Sequence, residues 1–186
     1  MNLPVFPFLS VMFAVLMGMG VVRIIMAFAI LVRGDEKIKP YWLHGVWLFF
    51  MLLLYLHVWW SMWEFRQVET WNYFSYLFLL SGPVILFMAT NILLPELQSG
   101  KDFNFQDFYF RIHRKYFLAM TFAVIWGMLL FPVFLGKPDP ILPYLLTFAG
   151  IMIILAVFKN PPVHYTLSII AWILFLSWVL SYGISM

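Results

Sequence analysis

The sequence has no cysteine and little of the charge that a water-soluble chain carries. Without thiols there is no disulfide, no thiolate metal site, no iron–sulfur cluster and no cysteine nucleophile. Asp, Glu, Lys and Arg make up 10% of the 186 residues, against about 25% in soluble domains. Carboxylates are confined to loops and the ends of apolar runs. Proton pumps and ion-coupled carriers usually place one at mid-membrane, so its absence argues against that class. Residues 1–10 hold no Lys or Arg, and no small-residue cleavage site follows the first apolar run. That run is therefore expected to be retained as a helix and not lost as a signal peptide. A nucleophile elbow, a zinc-protease helix motif, a phosphate loop and a dinucleotide fingerprint are also missing. The reading leans away from an enzyme and assigns no catalytic residue and no metal ligand.

What is present is apolar: 65% hydrophobic residues, 21% aromatics and nine Trp. A soluble fold of this size cannot hide that much apolar surface, so the expected solvent is lipid, with Trp anchoring two interfaces. The net charge of +3 sits in short clusters between apolar runs. That pattern reads as membrane topology and excludes nucleic acid as a partner. A bilayer core takes about 20 apolar residues of helix. Six spans are expected, at about 5–32, 41–63, 71–94, 116–135, 141–158 and 163–181. The fold class is all-α, a single polytopic transmembrane bundle.

The connection before the fourth span has its own pattern. Asn104 can cap a helix, Asp107 suits its positive end, and Phe105, Phe108, Tyr109, Ile112 and Tyr116 share one face. An interfacial amphipathic helix is expected over 104–116. The loops after spans one, three and five hold eight Lys or Arg, and the other side holds only Arg66 and Lys137. The positive-inside rule then places both termini outside the cytoplasm. Residues 10–19 faintly echo residues 119–128. Inverted repeats build many transporters, but chance agreement between two apolar helices explains the echo more simply.

Several residues are candidates for function. Arg23 lies inside the first span, where a charge either meets a partner or snorkels. Thr90, Asn91 and Glu96 offer acceptors on the third span, and Gly18 and Gly20 permit close approach. The second span ends in a tryptophan-rich corner. There His57, Trp60 and Glu64 share a face, and Glu64, Arg66 and Glu69 can pair. The corner suits an aromatic, charged vestibule for a cation or amphipathic ligand, although an aromatic belt predicts most of its Trp residues. Asn72, Tyr76, Pro83 and Thr90 form a polar stripe on the third span, which should face protein or water. His44 and His164 sit at similar depth, so a two-histidine haem fits geometrically. Ordinary interfacial hydrogen bonds account for them more simply, and no cofactor is assigned.

Lys39-Pro-Tyr-Trp-Leu-His44, His57-Val-Trp-Trp, Trp63-Glu-Phe-Arg66, Gly82-Pro-Val-Ile-Leu and Leu93-Leu-Pro-Glu96 resemble a group of bacterial multi-spanning inner-membrane proteins. That group is Trp-rich and has no assigned activity. The resemblance covers roughly residues 10 to 120, implies the bacterial inner membrane and transfers no catalytic residue. The expected function is a small transporter, a channel-like protein or a ligand-sensing membrane module. The alternative is a non-catalytic subunit that scaffolds a larger membrane complex or a homo-oligomer. A haem-binding or lipid-modifying enzyme ranks third.

Overall fold

The computed structural model describes residues 5–33, 38–68, 70–96 and 102–183. Lys37, Glu69 and Lys101 lie outside the described residues. Apolar runs become helices in lipid because each backbone N–H and C=O is then paired within its own segment. Among the described residues six helices result: α1 Val5–Arg33, α2 Trp42–Ser61, α3 Tyr73–Leu93, α4 Phe105–Leu135, α5 Leu142–Val157 and α6 Pro161–Gly183. The molecule is an all-α bundle, and five of its helices are long and apolar enough to cross a membrane. The sixth, α5, has 16 residues. It nevertheless joins the two ends of the bundle, because α4 finishes at one end and α6 starts at the other.

Aromatic contacts fix those ends. Phe6 packs on Trp71, and Trp71 on Phe134, while His57 meets Trp178. The starts of α1 and α3 therefore share a tryptophan end with the C-terminal parts of α2, α4 and α6. Tyr41 contacts Tyr109, its hydroxyl faces that of Tyr165 at 3.4 Å, and His44 packs on Phe105. These residues mark the opposite, basic end. The beginning of α1 and the end of α6 thus lie at the same end.

Three features differ from the sequence expectation. First, 104–116 is not a separate interfacial helix. It is the first third of α4, which runs unbroken for 31 residues, or about 46 Å at 1.5 Å per residue. No proline and only one glycine, Gly127, occur between Phe105 and Phe131, so nothing ends the first segment. Its apolar stripe faces protein, with Phe105, Phe108, Tyr109 and Tyr116 buried. Second, α2 gives way at Met62 to a 3-10 helix, Met62–Gln67, which carries Glu64 and Arg66. Third, two short strands, β1 Ile38–Lys39 and β2 Phe103–Asn104, pair in parallel at the basic end, with Ile38 opposite Phe103. Nothing in the sequence pattern announces them.

The first three helices converge as expected. Gly20 is the close-approach residue, since a Cβ built there would overlap the Tyr55 ring, whereas one on Gly18 meets nothing. Tyr55 in turn shares a 3.1 Å hydrogen bond with Thr90. Pro83 lies buried inside α3, which continues through it. α4 packs most extensively against α5 and α3. Trp47, Phe50, Tyr55, Tyr116 and Phe117 fill the centre.

Candidate functional site

The most developed site lies toward the tryptophan end, where α2, α4, α5 and α6 leave a cavity of about 130 Å³. Its walls include Phe50, Met120, Ala123, Leu130, Phe148 and Phe175. A cavity of about 150 Å³ with such a lining holds one benzene ring. The polar groups sit where the helices end: His57 and Ser61 on α2, Glu64 on the 3-10 helix, Asp139 before α5, and Trp178 on α6.

Each is held by local structure. Ser61 Oγ donates to the His57 carbonyl at 2.8 Å and lies 3.2 Å from His57 Nε2. With the hydroxyl proton used on the carbonyl, Nε2–H donates to Ser61 and Nδ1 is left as an acceptor. The His57 ring lies edge-on to Trp178, with centroids 3.9 Å apart. The switch from α-helix to 3-10 helix at Met62 places Glu64 in the cavity lining. At the end of α4, Gly136 adopts φ 63°, the left-handed conformation that glycine supplies at helix ends. The chain then returns through Asp139, whose Oδ1 accepts from the Ile141 amide at 2.9 Å. Asp139 is 8% exposed. Burial pushes its carboxyl above the usual aspartate range, and the Ile141 hydrogen bond partly offsets this. The Trp178 indole Nε1 is buried and has no hydrogen-bond partner among the described residues.

The two cations of this end lie against aromatic rings. Arg66 lies 4.5 Å over the Trp63 ring and donates to the Trp63 carbonyl at 2.8 Å. Lys137 sits 5.9 Å from the centre of the Phe131 ring. Neither lines the cavity. Among the described residues, Glu64 and Asp139 have no cationic partner. The site can therefore offer a small apolar group an apolar slot and a positive charge two carboxylates.

A second cavity, of about 360 Å³, lies at the basic end between α1, α2 and α3. Arg23 lines it and donates to Asn91 Oδ1, so the expected contact between α1 and α3 is made. His44, Glu96 and Phe105 complete its rim.

The remaining candidates are placed as follows. His57 and Glu64 come together at the inner cavity, while Trp60 is exposed on the outside of α2. Asn72 caps α3, exchanging hydrogen bonds with Ser75. Tyr76 is half-buried and lines neither cavity, and Thr90 is spent on Tyr55 and the Leu86 carbonyl. The polar stripe is thus divided among capping, packing and hydrogen bonding. His44 Nε2 donates to the Leu93 carbonyl, and His164 Nε2 to the Phe158 carbonyl. His164 Nδ1 meets the Tyr109 hydroxyl at 2.8 Å. Iron at either Nε2 would first have to displace a carbonyl.

Sequence reasoning missed Asp139, Ser61 and Trp178. An acidic residue in the Gly136-Lys-Pro-Asp-Pro140 turn was the available signal for the first. No known family model, characterised relative or solved structure matches the chain.

Proposed function

We propose that this is a multi-pass membrane protein that holds a small ligand with an apolar body and a cationic end, as a ligand-sensing or transporting module. One observation carries this reading: an apolar cavity of about 130 Å³ ends in Glu64 and Asp139 while Arg66 and Lys137 are held on aromatic faces. A ring of benzene size matches that volume. A protonated amine would answer the two carboxylates with charge-assisted hydrogen bonds, and Trp178 would add an aromatic face.

The excess of basic residues supports placing the end with β1 and β2 in the cytoplasm. The cavity then lies toward the outer face, and the chain sits in a bacterial inner membrane, as the sequence resemblance implies.

Calorimetry in mild detergent with 2-phenylethylamine, 2-phenylethanol and phenylacetate tests the function. The amine is expected to bind about tenfold tighter than the alcohol, or 1.4 kcal/mol, and phenylacetate weakest. If none of the three binds, the ligand-holding reading fails. Gly127 lines the cavity, and a Cβ there meets nothing within 4 Å. Gly127→Leu is therefore expected to fill the slot and abolish binding without loss of thermal stability.

A further inference from the structure

The cavity at the basic end has chemistry that the inner site does not use. α1 and α3 run in the same direction, and Arg23 meets Asn91 only two residues before the last residue of α3. α1 continues ten residues further, to Arg33. Arg23 therefore lies near the level where α3 leaves the bundle, the depth of lipid headgroups, and its side chain is exposed. A guanidinium has five N–H donors, and among the described residues this one has a single protein partner, Asn91 Oδ1. That amide is fixed in turn, because its Nδ2 donates to the Phe87 carbonyl at 2.8 Å.

Glu96, just past the end of α3, lines the same cavity and is exposed. Among the described residues it has no cationic partner, and it forms no ion pair with Arg23. His44 faces this cavity too, but its Nε2 is committed to the Leu93 carbonyl. Two opposite charges thus line one space without pairing with each other. Met26, Ile30 and Phe105 supply an apolar wall beside them. The volume, about 360 Å³, falls within the range of roughly 300–1,000 Å³ of small-ligand sites.

We propose that this cavity binds the headgroup of a zwitterionic phospholipid bearing a primary amine, its phosphate on Arg23 and its ammonium on Glu96. Guanidinium is the side chain best shaped for phosphate. A carboxylate in the same cavity disfavours a headgroup that carries only negative charge. A trimethylated amine keeps its charge but has no N–H to donate to Glu96. Phosphoethanolamine satisfies both ends, while the acyl chains leave along the apolar wall.

The test uses the full chain in nanodiscs made of equal parts phosphatidylethanolamine, phosphatidylcholine and phosphatidylglycerol, with the retained lipids read by native mass spectrometry. Phosphatidylethanolamine is expected to exceed each of the others by about fivefold, the scale of one partly exposed ion pair. Arg23→Gln should lower retention of all three lipids. Arg23→Lys, which keeps the charge, should recover part of it and so separates lost binding from lost folding. Glu96→Gln should erase the advantage over phosphatidylcholine. Preference for phosphatidylglycerol in the unaltered protein, or an unchanged preference in Glu96→Gln, would overturn the proposal. Retention of glycerophosphoethanolamine as firmly as the intact lipid would also overturn it, since the ligand would then be a soluble phosphoamine.

Discussion

A hydrogen atom in place of a side chain at Gly82 lets the Trp126 indole lie against α3 and donate to the Phe78 carbonyl at 2.9 Å. A Cβ there would overlap the indole. Gly82→Ala is therefore expected to destabilise the bundle by about 1–3 kcal/mol, the usual cost of overpacking, seen as a lower melting temperature in detergent. An unchanged melting temperature would mean that the indole swings aside at no cost. Asp139 supports a second prediction at this scale. Its carboxyl is raised by burial, so it takes up a proton at a higher pH than an ordinary aspartate. Amine affinity in the inner cavity should therefore weaken as pH falls through that raised value and strengthen above it. Titration by calorimetry reads the change. His57 and Glu64 share the mouth, and Glu64 should keep part of the affinity. Asp139→Asn can still accept from Ile141, and should lose most of the amine preference and this part of the pH dependence. Little of this was legible in the sequence. Arg23 stood out because charge inside a span is costly, and Glu64 because it shares a helical face with His57 and Trp60. Asp139 did not, because an acidic residue in a Gly/Pro turn looks like any solvated loop residue. Its burial comes from the tertiary packing around the cavity that it lines.

The helices themselves were legible, because lipid leaves a chain little choice except to satisfy its backbone locally. Their limits were less so. A charged, amphipathic segment joined to an apolar one reads as two elements, but a helix stops only where a residue stops it, and none does before Gly136. Fusion of the two segments turns the stripe at Phe105, Phe108 and Tyr109 inward, onto Tyr41, His44 and His164. A proline at Ile112 would remove a helical hydrogen bond and kink α4 just below this cluster, at a cost of about 3 kcal/mol. Ile112→Pro is expected to abolish folding or lower the melting temperature sharply. Were 104–116 a detachable interfacial helix, the same change would leave the bundle's stability nearly intact. The 3-10 turn was likewise invisible. Met62–Gln67 has no breaker residue, and its tighter winding reflects packing of Phe65 against Phe131 and Phe134.

For the molecule as a whole, an even number of crossings returns the chain to the end where it began. With the basic end in the cytoplasm, a reporter that works only in the cytoplasm, fused after Met186, is expected to be inactive. The same reporter inserted in the connection before α4 should be active, and the reverse pattern would invert the orientation. The strand pair at the basic end adds a constraint of a different kind. Ile38 cannot find Phe103 until 65 further residues have been made. While the chain leaves the ribosome, α1, α2 and α3 enter the membrane with that clasp still open. It closes only as α4 begins to emerge. The segment with α2 and α3 then becomes a closed loop whose two ends are tied, with α1 leading into it. The order of synthesis thus gives the first half of the protein a period of free rearrangement, and the arrival of the second half brings that period to an end.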